Sequence, residues 1–237
     1  MTTSSAPPAL RQSPVLEPDL AGLVESARRL AVTGKRHVLG IVGTPGAGKS
    51  TVSDALLAAL GSEAVLVGMD GFHLSNHQLR RLGRAERKGA PDTFDVAGYR
   101  SLLGRIRAAD EDVYAPVFDR RIEESIAAAA VVPVDVPLVL TEGNYLLLEH
   151  HGWAPVRQLL DTVWYIDVAP AERVRRLEAR RRLHGHDAAS AAAWVREVDE
   201  RNALIVESTR ARADRVVHLE SNLAETGSAS NMEGAGA

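Results

Sequence analysis

"HVLGIVGTPGAGKSTV", running from His37 to Val52, decides the fold. Its opening residues, His37 to Gly43, form a short apolar run of the kind that makes a strand buried on both faces. From Ser50 to Leu60 the apolar residues fall instead at helical spacing. Between the two lies Gly43-Thr44-Pro45-Gly46-Ala47-Gly48-Lys49-Ser50, a complete G-x-x-x-x-G-K-[ST], followed by Thr51. In a strand–loop–helix setting the glycines let successive backbone N–H groups turn toward an anion, where the helix also presents its positive end. Lys49 supplies a mobile cation for the β- and γ-phosphates of a nucleotide, and the Ser50 hydroxyl a ligand for Mg²⁺. Gly43 to Thr51 are therefore expected to bind ATP or a related triphosphate. A dinucleotide fingerprint starting at Gly46 is excluded, because Thr51 stands where it needs glycine.

Outward from this loop the pattern alternates. Apolar runs at Ala64–Met69, Val136–Gly143, Thr162–Val168 and Asp214–Glu220 read as further buried strands. Segments 96–109, 153–160, 171–184 and 188–209 read as helices, and 19–33 as one more ahead of the first strand. Strands alternating with helices give an α/β sandwich, three layers deep, around a mostly parallel sheet. In such sheets ligands bind beyond the carboxyl ends of the strands. Asp70 ends the second predicted strand, in "VLVGMDGFH", and is therefore expected to face the γ-phosphate across a gap wide enough for an acceptor. Glu142 closes "LVLTEG" in the same way, and an acid in that position serves Mg²⁺ directly or through water. Its alternatives are a helix cap or a surface acid.

The bulk numbers narrow the classes. The chain has 237 residues, a hydrophobic content of 45% and a formal charge of −3, enough for one core and no basis for nucleic acid or an anionic membrane as partner. Cysteine is absent, so disulfides and thiolate metal sites are excluded. No leader-like start and no apolar run of membrane-spanning length is present, which makes the cytoplasm the expected compartment. Residues 1–17 and 221–237, small and polar without periodicity, are expected to be disordered tails around a single domain at 18–220. The sequence leaves a homo-oligomer open.

Taken in order, "GTPGAGKST", "MDGFH", "KGAPDTFD", "YAPVFD", "TEGNYLLL" and the Arg-rich helix after "YIDV" resemble the phosphoribulokinase/uridine kinase superfamily, which also holds bacterial-type pantothenate kinases. Within it the chain is similar to the nucleoside/nucleotide-kinase-like branch that includes fructose-transport-associated kinases. The resemblance implies a P-loop kinase fold with a helical, Arg-rich lid at about 171–187. It implies that Asp70 is the catalytic acid/base residue, that Lys49 and Ser50 hold ATP and Mg²⁺, and that Glu142 is the metal-side acid. It further implies acceptor contacts from His73, Phe94, Asp95, Tyr114 and Phe118. Arg173, Arg176 and Arg180 are spaced to share one helical face, as a phosphate clamp requires, although Glu172 and Glu178 make a solvated charged face the alternative.

Other patterns carry less. His150-His151 and His184-Gly185-His186 lack the clustered acids or cysteines of a metal site. The basic run Arg80 to Lys88 has no interleaved aromatics. Asp95-Val96-Ala97-Gly98 matches D-x-x-G, but no Asn-Lys-x-Asp string that would read guanine occurs. The expected activity is thus transfer of the γ-phosphoryl of ATP to a hydroxyl of a small metabolite, with a nucleoside ranked first on the resemblance and pantothenate or a sugar such as fructose next. Two readings of another class remain, a nucleotide-hydrolysing switch and a binding module without turnover.

Overall fold

In the first strand, β1 (His37–Gly43), Val38 and Val42 enter one hydrophobic cluster and Leu39 and Ile41 the other. That alternation is the two-fold period of a strand buried on both sides. The computed structural model describes residues 20–219; the tails expected at 1–17 and 221–237 lie outside the described residues. Four further strands join β1 in one sheet: β2 (Ala64–Gly68), β5 (Leu138–Gly143), β6 (Thr162–Asp167) and β7 (Arg215–His218). Their order is β2-β5-β1-β6-β7 and every pairing is parallel. All lie on segments whose apolar runs predict them. A separate antiparallel hairpin, β3 (Val113–Asp119) with β4 (Glu124–Val132), is not predicted by any such run.

Two helices, α1 (Leu20–Ala31) and α2 (Lys49–Leu60), cover one face of the sheet through Leu23, Ala27, Val52 and Leu56, packed with Leu140, Trp164 and Ile166. The other face meets α4 (Val96–Ala108), which follows a short α3 (Asn76–Arg81), and an aromatic knot of Phe94, Tyr99, Tyr145 and Trp153. Within this layer the polar groups are paired. Tyr99 donates its hydroxyl to Thr141 Oγ1 at 2.6 Å, Thr141 donates to the Val67 carbonyl at 2.7 Å, and Trp153 Nε1 donates to the Pro91 carbonyl at 3.0 Å. These bonds tie α4 and the loop before it to the edge of the sheet.

Two helix expectations need correction. The segment 153–160 forms a 3₁₀ turn over Ala154–Leu159, with Pro155 in its first positions, rather than an α-helix. The expected helix over 188–209 is α6 (Ala188–Trp194) and α7 (Glu200–Glu207) joined by a π turn at Val195–Asp199. Before them runs α5 (Pro170–Leu183), the Arg-rich helix. No helix among the described residues is long and apolar enough to cross a membrane.

Trp153 is fully buried and touches three other aromatic rings. Trp153→Ala is expected to cost about 3–5 kcal/mol of stability, read as a lowered midpoint in urea unfolding. A midpoint within error of the parent would show that the knot does not anchor this layer.

Candidate active site

Register brings the strand ends together. In β5, Glu142 pairs with Ile41 of β1 on one side and Gly68 of β2 on the other. The loop that leaves β1 and the turn that leaves β2 therefore flank the Glu142 carboxylate. Ser50 and Ser53, on the first turns of α2, donate to its two oxygens at 3.1 and 3.2 Å. Burial pushes the Glu142 carboxyl above its usual range, opposed by the charge of Lys49 and by the Ser50 hydroxyl.

Lys49 is drawn under the loop. Its ammonium donates to the carbonyls of Gly43 at 2.9 Å and Thr44 at 3.2 Å and to Asn144 Oδ1 at 2.7 Å. Desolvation lowers its pKa to about 8, against the pull of Glu142 and Asp70. Asn144 closes the "TEGN" string and is a site residue that the motif alone does not single out.

Asp70 lies in the 3₁₀ turn Met69–Phe72 that follows β2. Gly71 lets that turn press against β3, since a Cβ there would run into the Pro116 carbonyl. One Asp70 oxygen accepts from Arg120 Nη2 at 3.0 Å, with both side chains about half exposed at 41% and 53%. Arg120 stands in the β3–β4 loop and was not expected in the site. Its neighbour Arg121 pairs with Asp119 at 2.8 Å and is turned to solvent.

Beyond Asp70 the His73 ring lies between Phe94 and Phe118, with centroids 4.1 and 4.7 Å away. His73 Nδ1 is 2.8 Å from the Asp70 carbonyl, which can only accept, so the proton is assigned to Nδ1. Burial lowers the His73 pKa and favours that neutral ring. Lys88, 15% exposed, sits 5.1 Å over Phe118 while donating to Asn76 Oδ1 at 2.8 Å and to the Glu123 carbonyl. Lys88 is thus committed to holding the hairpin loop.

The structure brings Lys49, Ser50, Glu142 and Asp70 to one edge of the sheet and His73, Phe94 and Phe118 beside it. Phe94 is also buried against Tyr145 and Trp153, so most of its surface serves the core. Two other expected acceptor residues are placed apart. Asp95 caps α4 by accepting from Gly98 N at 2.9 Å, and lines a surface groove with Arg84, Arg100 and His151. Tyr114 is 59% exposed on β3, opposite Val131, and makes no ring contact with the others.

The Arg-rich helix α5, expected to form a lid, is packed down. Arg173, expected in the phosphate clamp, is buried and paired with Glu200 of α7 at 2.7 Å, because α5 rests directly on the loop. A Cβ on Gly46 would lie 2.9 Å from Arg173 Cγ, Arg173 O and Leu177 Cγ. Arg176 is held through Nε by Glu172 at 2.7 Å, while its buried Nη1 has no hydrogen-bond partner and lies 3.3 Å from where a Cβ on Gly48 would be. The Arg180 side chain makes no hydrogen bond or ion pair among the described residues and feels the charges of Arg120, Asp199 and Asp70. The hard oxygens of Ser50 and Glu142 suit Mg²⁺ completed by water and phosphate, and the orphan Arg176 nitrogen suits a phosphate oxygen. Among the described residues no cluster of three or more His, Cys, Asp or Glu is placed to hold a metal by itself.

Comparison with known proteins agrees with this fold. A family model described as "Methylmalonyl Co-A mutase-associated GTPase MeaB" matches residues 22–70, the part from α1 to the Asp70 turn. A protein of Schizosaccharomyces pombe with the provisional name of uridine kinase is 34% identical over 64% of this chain and 68% of its own length. The crystal structure of a provisionally assigned fructose transport system kinase from Silicibacter sp. TM1040 superposes with a TM-score of 0.77, at 36% identity, over 84% of this chain and 98% of that one. The chain belongs to the phosphoribulokinase/uridine kinase superfamily. YggC of Escherichia coli, a protein without a named activity, is 33% identical over 78% of both chains. Membership of the superfamily makes the chain a P-loop small-molecule kinase.

Gly46 has φ +79°, so a side chain there meets both backbone strain and α5. Gly46→Ala is expected to destabilise the protein by about 1–2 kcal/mol from the left-handed backbone alone and to weaken nucleotide binding as α5 is pushed off the loop. Thermal melting and nucleotide titration check both; unchanged values would separate α5 from the loop.

Proposed function

We propose that this cleft transfers the γ-phosphoryl group of ATP to a hydroxyl group of a small metabolite. The observation that carries the reading is the register of β5, which sets Glu142 between the phosphate loop and the turn bearing Asp70. On this reading the loop N–H groups, Lys49 and the free nitrogen of Arg176 cradle the phosphates. Ser50 and Glu142 hold Mg²⁺, which when bound neutralises charge on the β- and γ-phosphates. Asp70 orients the acceptor hydroxyl. Its oxygen forms a bond to the γ-phosphorus as the bond to ADP breaks, and its proton passes to the Asp70 carboxylate. Arg180, with no partner of its own, meets the transferring group from the lid.

Family likeness ranks a nucleoside first among acceptors, with pantothenate and a sugar next. The match to a GTPase model favours a second reading, a hydrolysing switch, but it stops at the Asp70 turn. It leaves the aromatic cluster around His73 without a task. ADP release from Mg²⁺-ATP, measured with and without uridine, cytidine, pantothenate, fructose and ribulose 5-phosphate, separates the two. Release stimulated by one compound supports the kinase; release indifferent to all, at the same low rate, supports the switch.

Asp70→Asn is expected to lower stimulated turnover by about 10²–10⁴-fold with ATP affinity nearly unchanged. Normal turnover in this variant would overturn the role of Asp70. The lowered pKa of Lys49 makes a second prediction, because the triphosphate favours its charged form. Below about pH 8 the empty site already holds a charged Lys49. Above it, ATP must bind with uptake of a proton, so apparent affinity falls as pH rises. Calorimetry in buffers of different ionisation enthalpy measures that uptake, and its absence above pH 8 would contradict the burial of this ammonium.

A further inference from the structure

Around Asp70 the positive charges are not all in use. Lys49 is bonded to three oxygens within the loop region, and Lys88 to Asn76 and Glu123. Arg173 and Arg176 are tied to Glu200 and Glu172. Two guanidinium groups are left. Arg120 spends a single hydrogen bond on Asp70 and is about half exposed, and the Arg180 guanidinium has neither hydrogen bond nor ion pair among the described residues. Arg120 comes from the hairpin loop next to Phe118 of the aromatic cluster, and Arg180 from α5. The charge of Arg120 is among those that act on Arg180. Like charges facing one cleft are costly unless an anion joins them.

A bound ATP accounts for only one of the two. On the kinase reading its γ-phosphoryl group would engage Arg180. Arg120 follows directly on Phe118 and Asp119 at the end of β3, beside the aromatic cluster, and on the kinase reading belongs to the acceptor side. A neutral acceptor would leave the open donors of Arg120 facing hydroxyl or ring surface. An oxyanion would take two of them in the fork geometry that guanidinium offers.

We propose that the acceptor carries an oxyanion, a carboxylate or a phosphate, in addition to the hydroxyl that is phosphorylated, and that Arg120 binds it. The proposal rests on the kinase reading above and narrows it. Arg120 then has two duties: it neutralises Asp70 in the free protein, and it places the anion of the acceptor so that its hydroxyl lies against the other Asp70 oxygen. A hydroxy acid or a sugar phosphate satisfies this requirement, and a free nucleoside does not.

The test compares acceptors in pairs that differ only in the charge: glycerate with glycerol, pantothenate with pantothenol, ribulose 5-phosphate with ribulose, and uridine beside them. ADP release is measured in the parent, Arg120→Ala and Arg120→Lys. The expected result is stimulation by an anionic member and not by its neutral partner. Arg120→Ala should raise KM for that compound by about 10- to 100-fold, the worth of a charge-assisted contact, with KM for ATP unchanged and partial recovery in Arg120→Lys. Which pair responds distinguishes carboxylate from phosphate. Equal use of both members of a pair, use of uridine, or a fall in kcat with no change in KM would overturn the proposal.

A binding measurement keeps it separate from the kinase reading. The parent, loaded with a non-hydrolysable ATP analogue and Mg²⁺, is titrated with inorganic phosphate and with acetate by calorimetry. Binding of either that is weakened tenfold or more in Arg120→Ala, at unchanged analogue affinity, supports the anion site even if no compound stimulates ADP release and the kinase reading fails. Binding that is absent in the parent, or unaffected by Arg120→Ala, overturns the anion site.

Discussion

The placement of one strand governs the site. Because β5 runs between β1 and β2 in parallel register, the residue that follows its last buried threonine, Glu142, emerges at the level where both neighbours turn away from the sheet. A slip of one residue would send Glu142 to the other face and put Thr141 in its place. Thr141 is prevented from slipping by its bonds to Tyr99 and Val67. The chemistry at the strand ends is therefore set by packing in the layer beneath, where the aromatic knot fills the space behind β5.

Charge in the cleft follows from the same placement. Lys49 and Glu142 are both removed from water, and each only partly relieves the other: burial still dominates, lowering the pKa of the ammonium and raising that of the carboxylate. The pair has hydrogen-bond partners for all three Lys49 donors and for both Glu142 oxygens, yet the desolvation of its two charges is only partly offset. It is well suited to receiving ions of its own, a cation beside Glu142 and Ser50 and an anion beside Lys49. The serines add the neutral donors that keep the carboxylate oriented meanwhile.

Much of this was legible in the sequence because it depends on local runs. The parallel strands announce themselves as apolar stretches, and the loop, Asp70 and Glu142 sit at their ends. The β3–β4 hairpin does not announce itself: its second strand reads "ESIAAAAVV", with alanines where β-branched residues would signal a strand, and Pro116 and a register shift interrupt the first. Its residue Arg120 was missed for a plainer reason. Arg120 and Arg121 are identical neighbours, and only the turn decides which faces Asp70 and which pairs with Asp119. Arg173 shows the reverse limit. Helical spacing groups it with Arg176 and Arg180 on α5, but spacing says nothing of Glu200, which lies beyond a π turn that no pattern revealed.

The contact of α5 with Gly46 bears on how this kinase closes. A lid that swings freely leaves the phosphates exposed and loses conformational entropy each time it shuts. Here the half of α5 that carries Arg173 and Leu177 is already seated on the loop and fixed to α7 through Glu200. The entropy of ordering that wall is lost once, when the chain folds, and not again in every catalytic cycle. Beyond that half the helix runs on to the exposed Leu183, with Arg181 over Trp194 and the Arg180 guanidinium without a partner among the described residues. The wall over the loop is a finished mould.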